Sequence, residues 1–247
     1  MTSSSWTPSN TYTPIRRGST EWAISGCPIL GVVCPNNRGG TFRSRRPSKA
    51  GSTERGNHRA TENDLLYHHS RRVFLFGALQ GRRRGLDPDL ELLYVGALFH
   101  NLGLTPAYGT LHQRFEVDSA NVAKAFLLSY GLPEATATNV WTAVALHTTP
   151  GTPELLGAEI ALVTAGVETD VLGIDYAALS PADITAVTDA HPRPDFKRQI
   201  LAAFTEGNKS RPDTTFGNVN ADVLAHFSPG FRRTDFVDII QNSPWAE

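Results

Sequence analysis

Leu92-Leu93-Tyr94-Val95-Gly96-Ala97-Leu98-Phe99-His100-Asn101-Leu102-Gly103-Leu104 is an apolar run at helical spacing that ends in two adjacent polar residues. Asp87-Pro88 ahead of it offers Asp at the N-cap and Pro at N1, the favoured opening of a helix. A helix begun there reaches His100 after more than three turns, deep in a bundle. Two explanations are open for a polar pair at the buried end of such a helix. One is a core histidine satisfied by its surroundings; the other is a ligand facing a metal or a substrate.

A second stretch, Leu65-Leu66-Tyr67-His68-His69-Ser70-Arg71-Arg72-Val73-Phe74-Leu75-Phe76, also reads as helix and also sets histidine beside apolar positions. Thr61-Glu62-Asn63-Asp64 has the form of a capping box with Asp in place of Glu, which predicts a helix from there to Gln80. Arg82-Arg83-Arg84 closes it. Three arginines can bind phosphate, but cations also suit the unpaired carbonyls of a helix C-terminus. A loop follows His100 to about Gln113. Phe115 to Tyr130 is helical, with Gly131 as a ready C′ residue, and Pro133 starts a helix that carries His147 near its end. Thr152-Pro153 opens another, expected to run unbroken to Asp170. Ser180-Pro181-Ala182-Asp183 repeats the cap pattern, and further helices are predicted at 181–190, 194–206, 217–226 and 234–241. Few alternating runs compete, so the body is all-α, without internal repeats.

With 247 residues, 40% of them hydrophobic, the chain is long enough for one domain with a sizeable core and has no stretch suited to a membrane span. The formal charge of -1 hides an asymmetry: residues 1–60 hold 9 Lys+Arg against 2 Asp+Glu, leaving 14 against 22 for residues 61–247. An acidic body argues against nucleic acid as a partner, because duplex affinity rests on neutralising phosphates. Small molecules fit better. Residues 1–60, rich in Ser, Thr, Gly, Pro and Arg, bury too little to offset ordering entropy and are expected to form a disordered or irregular extension. Cys27 and Cys34 both lie there, at a spacing foreign to zinc ribbons and redox pairs. No secretory signal is apparent, which favours the cytoplasm. Assembly into a homo-oligomer is left open.

The order His69, His100-Asn101, Asp170 resembles the HD-domain superfamily of metal-dependent hydrolases, whose pattern is His, His-Asp, Asp. Arg114-Phe115-Glu116-Val117-Asp118, Ala145-Leu146-His147-Thr148-Thr149 and Lys209-Ser210-Arg211-Pro212-Asp213-Thr214-Thr215-Phe216-Gly217-Asn218 resemble the cyanamide hydratase-like branch. The likeness runs from about Asp64 to Glu247. It implies an HD-domain helical bundle over 61–247 and one divalent metal, Zn, Fe or Mn, held by His69, His100, Asn101 and Asp170. His69 is chosen over His68 because the family places Ser-x-Arg-Val directly after its ligand. Asn101 departs from the pattern, which has Asp there.

Such a site acidifies bound water and polarises an electrophile. In most of the superfamily the electrophile is phosphorus; in this branch it is the nitrile carbon of cyanamide, and hydration gives urea. The resemblance puts Glu116 near the pocket, with Asp118 a weaker choice, although acidic residues also suit a first helical turn. It makes His147 a hydrogen-bonding or proton-relaying group, beside the reading as helix-end packing. Lys209 becomes a cationic contact at the mouth, beside the reading as a solvated loop lysine. A small-molecule hydrolase or hydratase is the first functional reading. A nucleotide phosphomonoester phosphohydrolase, or a catalytically impaired binding or regulatory module, is the alternative that Asn101 keeps open.

Overall fold

Two local signals set the first helical hairpin. The computed structural model describes residues 53–245, with side chains from Asp64 onward, and the backbone of Ile24–Cys27 and Val32–Pro35. α1 spans Thr53–Arg84, so its backbone turns helical ahead of the Thr61 cap expected from the sequence. It ends in a Schellman turn, with Gly85 at φ 68° and the Leu86 N–H donating to Gly81 O at 2.9 Å. α2 spans Leu90–Phe99. Its N-cap is Asp89, not Asp87: the Schellman turn uses Gly85 and Leu86, and it is Asp89 Oδ1 that accepts from the N–H groups of Glu91 (2.9 Å) and Leu92 (3.1 Å). Pro88 therefore lies before the cap rather than at N1. Arg83 and Arg84 both pair with Asp175, which accounts for two of the three closing arginines.

The chain divides into two compact units, Met1–Ser48 and Lys49–Glu247. In the first, β1 (Ile24–Cys27) and β2 (Val32–Pro35) pair antiparallel, with Ser25 opposite Cys34 and Cys27 opposite Val32. Of the rest of the expected N-terminal extension, the backbone of residues 53–60 belongs to α1 instead of being irregular, and the remainder lies outside the described residues. Among its described residues the second unit is all-helical.

α3 (Phe115–Ser129) and α4 (Glu134–Leu146) pack together with α2. Leu92, Ala120, Ala123, Leu127, Ala137, Val140 and Val144 form their shared core. α5 (Ala158–Val167) crosses α1 at very short range. A Cβ on Gly166 would fall 2.1 Å from Val73 O, so only glycine permits this approach. The expected unbroken helix from Thr152 to Asp170 is three pieces. Pro153–Leu155 is a 3₁₀ turn, Leu156 is extended before Gly157, and past Val167 the helix widens into a π turn over Glu168–Leu172. The wide turn places Asp170 inward, buried beside α1. α6 (Pro181–Ala190) starts at its expected Ser180 cap. α7 (Phe196–Asn208), α8 (Asn220–Phe227) and α9 (Phe236–Gln241) follow. Leu65 of α1 packs with Phe196 and Ile200 of α7, closing the second core cluster. Among the described residues no helix is long and apolar enough to cross a membrane.

Candidate metal centre

Two helices end the same way. His100 is the C-cap of α2 and His147 the C-cap of α4. Each ring lies back on its own last turn, with Nδ1 at 2.7 Å from Ala97 O for His100 and 2.6 Å from Val144 O for His147. A carbonyl oxygen only accepts, so each Nδ1 carries the hydrogen and each neutral ring presents a lone pair at Nε2. His69, from the middle of α1, sets Nδ1 at 2.7 Å from Asp170 Oδ2, and the same reasoning puts its lone pair at Nε2.

Two of these lone pairs meet in a buried place, and the third ring lies beside them. His69 and His100 are fully buried, and their Nε2 atoms stand 3.1 Å apart with no hydrogen available between them in that tautomer. The His147 ring centroid is 4.9 Å from that of His100, and its Nε2 is buried without a partner. Burial, then the neighbouring His147 and His69, holds the His100 pKa well below the usual imidazole range. Burial also lowers that of His147, although Glu116 pulls it upward. Two imidazole nitrogens at this distance share an electron-pair acceptor, either a proton or a metal ion. A divalent ion supplies one: metal–nitrogen bonds of about 2.0–2.1 Å at a tetrahedral angle separate two nitrogens by about 3.3 Å. Histidines that ligate metals donate their other N–H to a carboxylate or a backbone carbonyl, as all three do here.

Asn101 directly follows His100, and both polar atoms of its amide are buried without a partner. Its Oδ1 thus carries lone pairs that no hydrogen bond in the chain takes up. Asp170 is placed differently, since every side of its carboxylate is occupied. His69 donates to Oδ2; Arg72 Nε donates to Oδ1 (2.8 Å) and its terminal nitrogen to Oδ2 (3.0 Å); Arg193 Nε lies 3.0 Å from Oδ1. Burial alone would raise its pKa, but the His69 and Arg72 contacts outweigh this and bring it down to about 2. Asp170 thus bears on the centre through His69. Among the described residues no three His, Cys, Asp or Glu side chains form a ready-made cage. The donors that fit an ion are the two facing imidazoles and the Asn101 amide oxygen, a neutral set suited to a borderline metal such as Zn.

One layer behind His147 sits Glu116, fully buried in the first turn of α3. It accepts from Thr148 Oγ1 at 2.5 Å, Asn220 Nδ2 at 3.1 Å and Arg114 at 3.2 Å. Burial pushes its pKa up, but Arg114 and then His147 and Thr148 leave it below the usual value. Asp118 is taken up by Arg211 (2.5 Å) and by the Thr110 N–H (2.7 Å). Arg211 also donates to the carbonyls of Gly103, Thr110, Gln113 and Gly207, so this one guanidinium ties down the loop that follows Asn101. Lys209 caps α7 on the exposed surface and pairs with Glu206, away from the imidazoles. The fold thus brings together His69, His100, Asn101, His147 and Asp170, with Glu116 behind them, and leaves Lys209 outside. Arg72, Arg193, Arg211 and Asn220 are the participants that sequence reading missed. Arg72 and Arg211 each carried a signal, as the Arg of Ser70-Arg71-Arg72-Val73 and as part of the Lys209 to Asn218 motif; Arg193 and Asn220 carried none.

A cleft of about 360 Å³ opens beside the cluster. His147, Thr148 and Asn220 form part of its wall, and Phe196, whose ring lies 5.3 Å from that of His69, forms another part. Val171, Ile200 and Phe204 complete a lining that is mostly carbon, with Glu168 and Lys197 as its charged side chains.

Residues 66–181, the segment that supplies His69, His100, Asn101, His147 and Asp170, match the family model of the HD domain. No curated protein matches the chain.

Proposed function

With an HD domain over residues 66–181 as the premise, and metal-dependent hydrolysis the general activity of that domain, we propose that this chain adds water to a small neutral molecule. The reading names a nitrile of the cyanamide type as the electrophile and His69 and His100 as the residues that would hold the divalent ion, with Asn101 Oδ1 beside them. The single observation that carries it is the pair of buried Nε2 atoms 3.1 Å apart, each turned into a lone-pair donor by what its Nδ1 touches. When bound, the ion acidifies water and polarises the electrophile. Asp170, anchored by Arg72 and Arg193, fixes the His69 tautomer and ring plane. His147 stands at the cleft wall, and its buried, unpartnered Nε2 is the group there that would take a proton or a hydrogen bond from a substrate. Glu116 is too enclosed to meet a substrate directly; it orients Thr148 and Asn220, which do line the cleft.

Phosphomonoester hydrolysis ranks second because a phosphate dianion needs several cations, and Lys197 is the cation on the cleft lining, offset by Glu168. The module reading keeps one observation in its favour: Asn101 supplies no charge where a carboxylate would. Metal-reconstituted protein assayed on cyanamide and on nucleoside monophosphates separates the three. Urea formation is the expected result. Phosphate release, or metal-loaded protein inert on both, would contradict it.

A further inference from the structure

Resting on that reading, we infer that the substrate carries an apolar body behind its reacting end, and that a molecule as small as cyanamide underuses this site. The cleft volume of about 360 Å³ lies within the range of pockets that enclose whole organic ligands. On its lining the His147 ring, with its buried and unpartnered Nε2, is joined by Thr148 and Asn220, both already bonded to Glu116. The remaining wall is mostly carbon: Phe196, Ile200 and Phe204 of α7 rest on the core, and the exposed Leu172, Leu201 and Val219, with Val223 of α8, turn apolar surface to the cleft. A small polar molecule beside His147 leaves that wall against water. A chain or ring attached to the nitrile carbon covers it instead.

Charge points the same way. Glu168 and Lys197 are the charged side chains of the lining, one of each sign, so the cleft offers a net anion no gain. The substrate class is therefore a neutral molecule with one compact polar head and an aliphatic or aromatic tail.

The test uses the metal-reconstituted full chain and a series with one electrophile and a growing tail: acetonitrile, butyronitrile and hexanenitrile, with cyanamide alongside. Burial of a methylene is worth about 0.8 kcal/mol, or about fourfold. The expected result is a rise in kcat/KM of about fourfold per methylene along the series, and the same gain in affinity by calorimetry. Val223→Asp should abolish the gain, and Val223→Thr, which keeps the side-chain shape, should reduce it if the first variant does not fold. If cyanamide is hydrated but the series shows no gain, the inference falls and the hydratase reading stands. If no nitrile is hydrated yet binding still tightens with tail length and Val223→Thr weakens it, the tail pocket stands and the hydratase reading falls. Absence of chain-length dependence in both turnover and binding overturns the inference.

Discussion

The two flanks of the imidazole cluster are built on opposite terms. On the Asp170 side every polar atom is partnered: one carboxylate receives His69, both faces of the Arg72 fork and Arg193. On the Asn101 side both amide atoms and His147 Nε2 are buried with no partner at all. A protein interior rarely leaves polar atoms unpaired, because each costs about 1–3 kcal/mol. The contrast separates the part of the site that supports the fold from the part that awaits something. Arg72, Asp170 and Arg193 fix one wall; across from it Asn101 and His147 hold buried polar atoms that nothing in the chain satisfies.

The largest way to break the contrast is Arg72→Ala. It leaves Asp170 charged and buried with its main counter-ion gone, a loss of about 3–5 kcal/mol. We expect Tm to fall on the order of 10 °C; a change of under about 2 °C would mean that the Asp170 wall is not a structural anchor.

Acid is the next. His100, His147 and His191 are all held neutral by burial, the last down to about 4. Their folded-state values lie below the ordinary 6.5, so the unfolded chain takes up protons first. Stability of the metal-free protein is then highest above pH 6.5 and declines as pH falls towards 4. Asp170 acts in a lower window, with its contribution full above 3.8 and lost only towards about 2. Thermal unfolding at pH 7, 6 and 5 checks this, and a flat Tm across that range would contradict the neutral-ring assignment.

Asn101→Asp sharpens the open flank instead of breaking it. A carboxylate there ligates more strongly than the amide and neutralises one charge of the ion. Metal affinity should rise at least about tenfold, equivalent to about 1.4 kcal/mol, and turnover by at least as much. Equal occupancy and equal turnover in the two proteins would remove position 101 from the site. Lys209→Ala marks the small end. Its partner Glu206 is exposed, so stability should move by less than about 0.5 kcal/mol, and turnover should be unchanged; a loss of activity would place Lys209 at the mouth after all.

Local chemistry made much of this legible in the sequence. Ser180 starts α6 and Gly131 ends α3 where their residue types demanded, and the helices bearing His69, His100 and His147 could be placed because each is long and periodic. The errors fell where one local signal competes with another. Asp87 and Asp89 are both plausible caps, and only the Schellman turn at Gly85 selects the second. Leu155 to Asp170 reads as one apolar helix, but Gly157 breaks its start and the π turn, which has no residue signature, redirects its end. The unpaired state of Asn101 and His147, and the grip of Arg72 and Arg193 on Asp170, depend on residues far apart in the chain, so no spacing could announce them. His69 was separable from His68 only through the resemblance; in the fold His68 turns outward to His191, 3.3 Å away between Nδ1 atoms.

The central claim is that the two facing imidazoles hold a divalent ion. Zinc titration of the chelator-stripped full chain, followed by calorimetry and elemental analysis, tests it most directly. The account predicts about one ion per chain, with that stoichiometry lost in His69→Ala and in His100→Ala and kept in His68→Ala. No bound ion, or an ion that survives both substitutions, would contradict it.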